Sequence, residues 1–227
     1  MSAPSKKALY VMIILILLVI GLIAYFIFKL KPAPYHQILS QQLKATNYHY
    51  RLIESIQLKK EPTVTRKKDT LHFKLRNGRY VSLNDNLEEG WGTYRKFSFM
   101  LYLKAIHYYL VDCTFYEGGS SVLVHDHTGH ITYVDGIPLL SPDNRRFLTA
   151  SYDESGFSGN GLTIYRLRKD GLTEEWSDTD GAEAAIWMSD HKIQYIRVSY
   201  KPTKHREKIT VELHHGRWKE IERLMKG

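Results

Sequence analysis

His125, His127 and His130 lie within six residues of one another. On a strand, side chains two positions apart share a face, so His125 and His127 would project together and His130 would approach across a hairpin. Neutral imidazoles gathered in this way are ligands for zinc or a similar ion. These three residues are the metal-site candidate. They support one alternative function, a metal-dependent membrane-bound enzyme or sensor. The competing reading is a solvated hairpin tip, because the nearby carboxylate, Asp126, would project to the opposite face.

Other chemistry-bearing runs are incomplete. Asp178-Thr179-Asp180-Gly181-Ala182-Glu183 sets two alternating acids before a glycine, a fragment of a calcium-loop pattern. The remaining ligands are missing, so a solvated acidic turn is expected. Ser158 sits in Gly156-Phe157-Ser158-Gly159-Asn160-Gly161, where Asn160 breaks the G-x-S-x-G spacing of a nucleophile elbow. His214 and His215 are adjacent and would face opposite sides of a strand. Gly118-Gly119 is followed by no Lys-Ser or Lys-Thr pair, and no Walker, Rossmann or zincin motif occurs. No catalytic residue and no cofactor is expected, and the chain reads as a non-enzyme.

The elements that hold these residues divide at the N-terminus. Residues 1–7 form a short basic tail. Residues 8–28 then run for 21 positions without a charge. As a helix this stretch spans roughly 31 Å, about the thickness of a bilayer's hydrocarbon core. Tyr10, Tyr25, Phe26 and Phe28 lie near its ends, and Lys6, Lys7, Lys29 and Lys31 bracket it. Such aromatic and basic flanks suit the headgroup region. The run is too long for a cleaved signal peptide and no A-x-A site follows it. A transmembrane helix over residues 8–30, in contact with membrane lipid, is therefore expected. With Gly21 its sole glycine, it has no GxxxG pairing face. The short basic tail places the C-terminal domain on the extracytoplasmic side, periplasmic in a bacterium.

The formal net charge is +8, and the four flanking lysines supply half of it. No nucleic-acid partner is called for. Residues 151–190 carry nine acids against three bases, and residues 191–227 carry ten bases against four acids. The two halves either steer a charged partner or balance one another within the domain. Cys113 is the only cysteine, which excludes an intramolecular disulfide. It reads as a small buried packing residue.

After Pro32, residues 31–69 read as a stalk and linker with a short amphipathic helix from Tyr35 to about Ala45. From residue 70 the period changes to two. Thr70–Leu75 and Tyr80–Leu83 flank Asn77-Gly78, a strong hairpin signal. Ser121–His125 pairs with Ile131–Val134. Further strands are expected at Phe147–Ser151, Leu162–Leu167, Ile193–Tyr200 and Lys208–His214, with turns at Lys169-Asp170-Gly171 and His215-Gly216. Lys96–Leu110 suits a helix or a buried strand. The fold class is mainly β, an antiparallel β-rich domain over residues 70–227.

Ser141-Pro142-Asp143-Asn144-Arg145 resembles the S-P-D-G-[RK] blade motif of TolB-type and WD-repeat-like propellers, with Asn144 where the family has Gly. Asn tolerates the left-handed turn that Gly would take. The resemblance covers about 60 residues, 137–200, and implies propeller-like blades. The chain has room for about four blades of ~45 residues, few for a closed ring. A partial propeller or stacked sheets is expected.

The function these readings support is a single-pass, membrane-anchored, non-catalytic domain that binds another protein at the cell envelope. A structural envelope protein is the other alternative. The intact chain should stay in the membrane pellet through an alkaline carbonate wash, and a chain lacking residues 1–31 should not. An intact chain found in the supernatant would remove the anchor.

Overall fold

The computed structural model describes residues 50–88, 92–200 and 203–225. The expected membrane helix and the expected helix over residues 35–45 lie outside the described residues. Among the described residues, no helix is long and apolar enough to cross a membrane.

One helix, α1 (Tyr50–Lys60), precedes four antiparallel sheets. The first sheet holds β1 (Val64–Lys67), β2 (Thr70–Lys74) and β3 (Tyr80–Asn84). The second holds β4 (Arg95–Leu103), β5 (Tyr108–Phe115), β6 (Gly119–His125) and β7 (Ile131–Val134). In the third are β8 (Leu139–Leu140), β9 (Arg146–Ser151), β10 (Gly161–Arg168) and β11 (Gly171–Asp178). The fourth is built from β12 (Gly181–Ser189), β13 (Lys192–Ser199), β14 (His205–His214) and β15 (Arg217–Met225). In every sheet the strands pair in chain order, so each is an up-and-down meander.

The mainly β, antiparallel expectation is met. Asn77-Gly78 turns between β2 and β3 with Gly78 at φ +82°. The ambiguous stretch is mostly strand: β4 and the start of β5 occupy it. Residues 64–67, read as linker, instead pair with β2, and Val64 is buried. β11, β12 and β15 were not foreseen. β12 carries two register shifts and Ala184 at φ +52°, which break its alternation. β15 is dense in charge and lacks the β-branched pattern of a strand.

Two apolar cores hold the sheets. In the first, Leu71 and Phe73 of the first sheet pack with Phe99, Tyr109, Val111 and Val124 of the second. Phe73 meets Tyr109 at a ring-centroid distance of 5.3 Å and Phe99 at 6.3 Å. Cys113 lies in this core, and burial pushes its thiol up to about 12, so it is inert packing. Alternation sends Tyr108 and Leu110 to the opposite face of β5, yet they are only 1% and 2% exposed. The second sheet is therefore covered on both faces.

The second core joins Leu148, Leu162 and Ile164 of the third sheet to Ile193, Ile209 and Val211 of the fourth. Glu175 pins the same pair of sheets. It accepts from Arg146 Nε at 2.6 Å, Arg166 Nη1 at 3.1 Å and Trp218 Nε1 at 3.0 Å. Ion pairs also consume part of the charge split. Asp178 pairs with Arg197, Glu183 with Arg206 and Glu154 with Lys204. Each couples an acid of residues 151–190 to a base of residues 191–227, and the two segments balance one another there.

Phe73→Ala should cost about 3–5 kcal/mol in denaturant titrations of the detergent-solubilised chain, since it opens a cavity between two sheets. A loss below about 1 kcal/mol would contradict a shared first core.

Candidate functional site

Because each sheet is a meander, alternate turns of one sheet lie at the same end. At one end the turns of the first three sheets converge on a single cleft of about 730 Å³. Arg76 comes from the β2–β3 turn, His107 from β4–β5, and Asp126 and His127 from β6–β7. Asn144 and Arg145 come from β8–β9, Arg168 from the end of β10 and Lys169 from the turn after it.

Main-chain hydrogen bonds lock these turns together. Arg76 N–H donates to the Asp126 carbonyl at 2.7 Å, and Asn77 Nδ2 to the His127 carbonyl at 2.6 Å. Asp126 N–H donates to the His107 carbonyl at 2.9 Å. Gly129, at φ +75°, lies so close to the first sheet that a Cβ there would sit 2.6 Å from Val81 Cγ2. The Ser-Pro-Asp turn is closed by its own side chains. Ser141 Oγ donates to Asp143 Oδ1 at 2.6 Å, Arg145 N–H donates to the same oxygen at 3.0 Å, and Asn144 takes φ +55°.

Asp126 forms the floor and is 1% exposed. Its Oδ2 accepts from Tyr102 Oη at 2.6 Å and lies 3.1 Å from His107 Nδ1. Its Oδ1 has no hydrogen-bond partner. His107 stands at φ +63°, an uncommon backbone state for a side chain of its size, and Arg76 Nη1 lies 3.3 Å from its Nδ1. A buried carboxylate thus holds an exposed imidazole at the rim, an arrangement suited to hydrogen bonding or proton exchange with a bound group.

The three candidate histidines are separated by this geometry. His125 ends β6 and is 6% exposed. Its Nδ1 accepts from the His127 and Thr128 amides at 3.1 and 3.3 Å, which places the proton of the neutral ring on Nε2. The ring lines the same cleft as Lys169. His127 is in the turn, exposed at the cleft, and not on the strand face shared with His125. His130 is exposed and does not line the cleft. Among the described residues, no group of three His, Cys, Asp or Glu side chains is arranged to hold a metal ion. The three histidines are thus not brought together on one strand face. Strand periodicity stops at His125, and a ring that already accepts two amides has no nitrogen to spare. The acidic turn also departs from a calcium loop. Asp178 accepts from Tyr195 Oη and Arg197 Nε, and Asp180 accepts from Ser199 Oγ, so the acids serve separate partners. Ser158 is a junction residue whose Oγ accepts from Gly119 N–H at 3.3 Å.

Sequence reasoning missed Arg76, His107, Arg145, Arg168 and Lys169 as a group. The signal was present in the turn motifs, since Arg76 adjoins Asn77-Gly78, Arg145 follows Asp143-Asn144, and Lys169 opens Lys169-Asp170-Gly171. Their meeting point was not visible without the sheet order.

No family model and no curated protein matches the chain. One solved structure it resembles is that of a Bacteroides fragilis protein bearing the provisional name 6-phosphogluconolactonase. The match has a TM-score of 0.37 at 8% identity and covers 72% of this chain and 56% of that one. The chain thus spans little more than half the length of that protein. A likeness at this level carries no activity across. It does set an enzyme's name against the expectation of a non-enzyme, and that expectation is withdrawn. Its basis was the lack of a contiguous catalytic motif, which says nothing about a cleft assembled from distant turns.

Burial holds the His125 imidazole below its ordinary value of 6.5. The unfolded chain therefore takes up a proton first as the pH falls, so this contribution is whole above about 6.5 and is lost as pH drops toward the folded value. Denaturant titrations should show wild type losing more stability than His125→Gln between pH 7.5 and pH 5.5. Equal losses would refute burial as the controlling factor.

Proposed function

We propose that this chain is a membrane-tethered binding protein that takes its partner, another protein, at the turn end of a propeller-like row of sheets. The tether is the uncharged segment at residues 8–30, and the domain stands on the extracytoplasmic side. Three consecutive four-stranded meanders, each followed in sequence by the next, and the side-chain-closed Ser141–Asn144 turn support this reading.

The observation that carries the reading is the cleft. Turns from three sheets supply it, while the faces of the second sheet are occupied by packing. Turns on a rigid β scaffold are where recognition is placed most cheaply, because loop residues change without disturbing the core. The tether confines encounter to the membrane surface.

A photo-crosslinking residue at position 145 or 168 of the intact membrane-bound chain should give one discrete adduct. The same residue at Met188, exposed on β12 of the fourth sheet, should not. Adducts from position 188 with none from the cleft would refute this site.

A further inference from the structure

From the charge and shape of this end of the domain, we infer that the element entering the cleft is an extended acidic segment of the partner, with several carboxylates along one stretch of chain. This rests on the cleft being the binding site.

Charge pairing is the first reason. Arg66, Arg146, Arg166, Arg197, Arg206 and Arg223 each hold a carboxylate within 3.1 Å. At the cleft, Arg76, Arg168 and Lys169 have no carboxylate partner among the described residues, and the Arg145–Asp143 approach is 4.0 Å with the Arg145 side chain 78% exposed. Four cations thus face one acid, Asp126, which is already engaged by Tyr102 and His107. Unpaired guanidinium groups on separate turns offer fork-shaped donors to carboxylates.

Shape is the second reason. A smaller cleft of about 320 Å³ adjoins the first, sharing Arg76 and His107 as a common wall and adding Lys74 and Lys104. Its one acid, Glu61, is turned to Thr63 Oγ1 at 2.6 Å. The cationic surface therefore runs on from Lys169 past Arg76 to Lys104. Cations drawn from four turns and spread over two adjoining clefts suit a chain with charges at intervals. A single compact anion would need them to converge on one point.

The test uses the intact chain in lipid nanodiscs and a fluorescent octaglutamate peptide. Binding should be measurable at low salt, fall as salt rises, and be absent for octalysine. Arg168→Glu/Lys169→Glu should weaken it at least tenfold. Arg217→Glu/Lys219→Glu, an equal charge change on the exposed part of β15, should alter it less than twofold. Equal weakening by both pairs would reduce the effect to net charge and overturn the inference. So would pyrophosphate binding that octaglutamate fails to displace, which would assign the cleft to a small anion. If position 145 crosslinks a partner that octaglutamate does not displace, the binding site stands and the acidic class falls. If the cleft crosslinks nothing, the site itself falls.

Discussion

Tyr108 and Tyr109 are neighbours on β5 that face opposite ways, and both are buried. That double burial is the constraint on which the remaining architecture depends. A strand covered on both faces has no face left for a ligand, and its backbone edges are taken by β4 and β6. The turns at the ends of the sheet remain open. Packing thus leaves the turns of this sheet, and not its central strands, to line a cleft.

The same constraint explains how short motifs become a site. The β2–β3 turn cannot reach the β6–β7 turn unless Phe73 and Leu71 pack on Tyr109 and Val124. Once they do, the Arg76 amide meets the Asp126 carbonyl, and Asn77 meets His127. The apolar core sets the distance between sheets. The hydrogen bonds then choose the register of the turns, because unpaired main-chain groups at a buried junction cost free energy.

Electrostatics divides along the same line. Between the third and fourth sheets, opposite charges meet and neutralise: Glu175 with Arg146 and Arg166, Asp178 with Arg197. At the turn end, cations gather without acids to match. A protein that pairs its charges in one place and leaves them unmatched in another concentrates its field where it is unmatched.

Much of the secondary structure was legible in the sequence alone. Alternation at Thr70–Leu75, Ser121–His125 and Leu162–Leu167 determined strands, Asn77-Gly78 determined a hairpin, and 21 uncharged residues determined the expectation of an anchor. These are local properties, decided by side-chain period and turn chemistry. The site was not local. His125 and His127 looked like ligands because a strand period was carried past the point where β6 ends, and Asp126 looked as if it faced away although it is the floor. β12 and β15 escaped notice because bulges and surface charge mask the period. Only the tertiary structure brought Arg76, His107, Arg145 and Lys169 together, since that depends on which sheet packs against which, and packing order is a property of buried faces far apart in the chain.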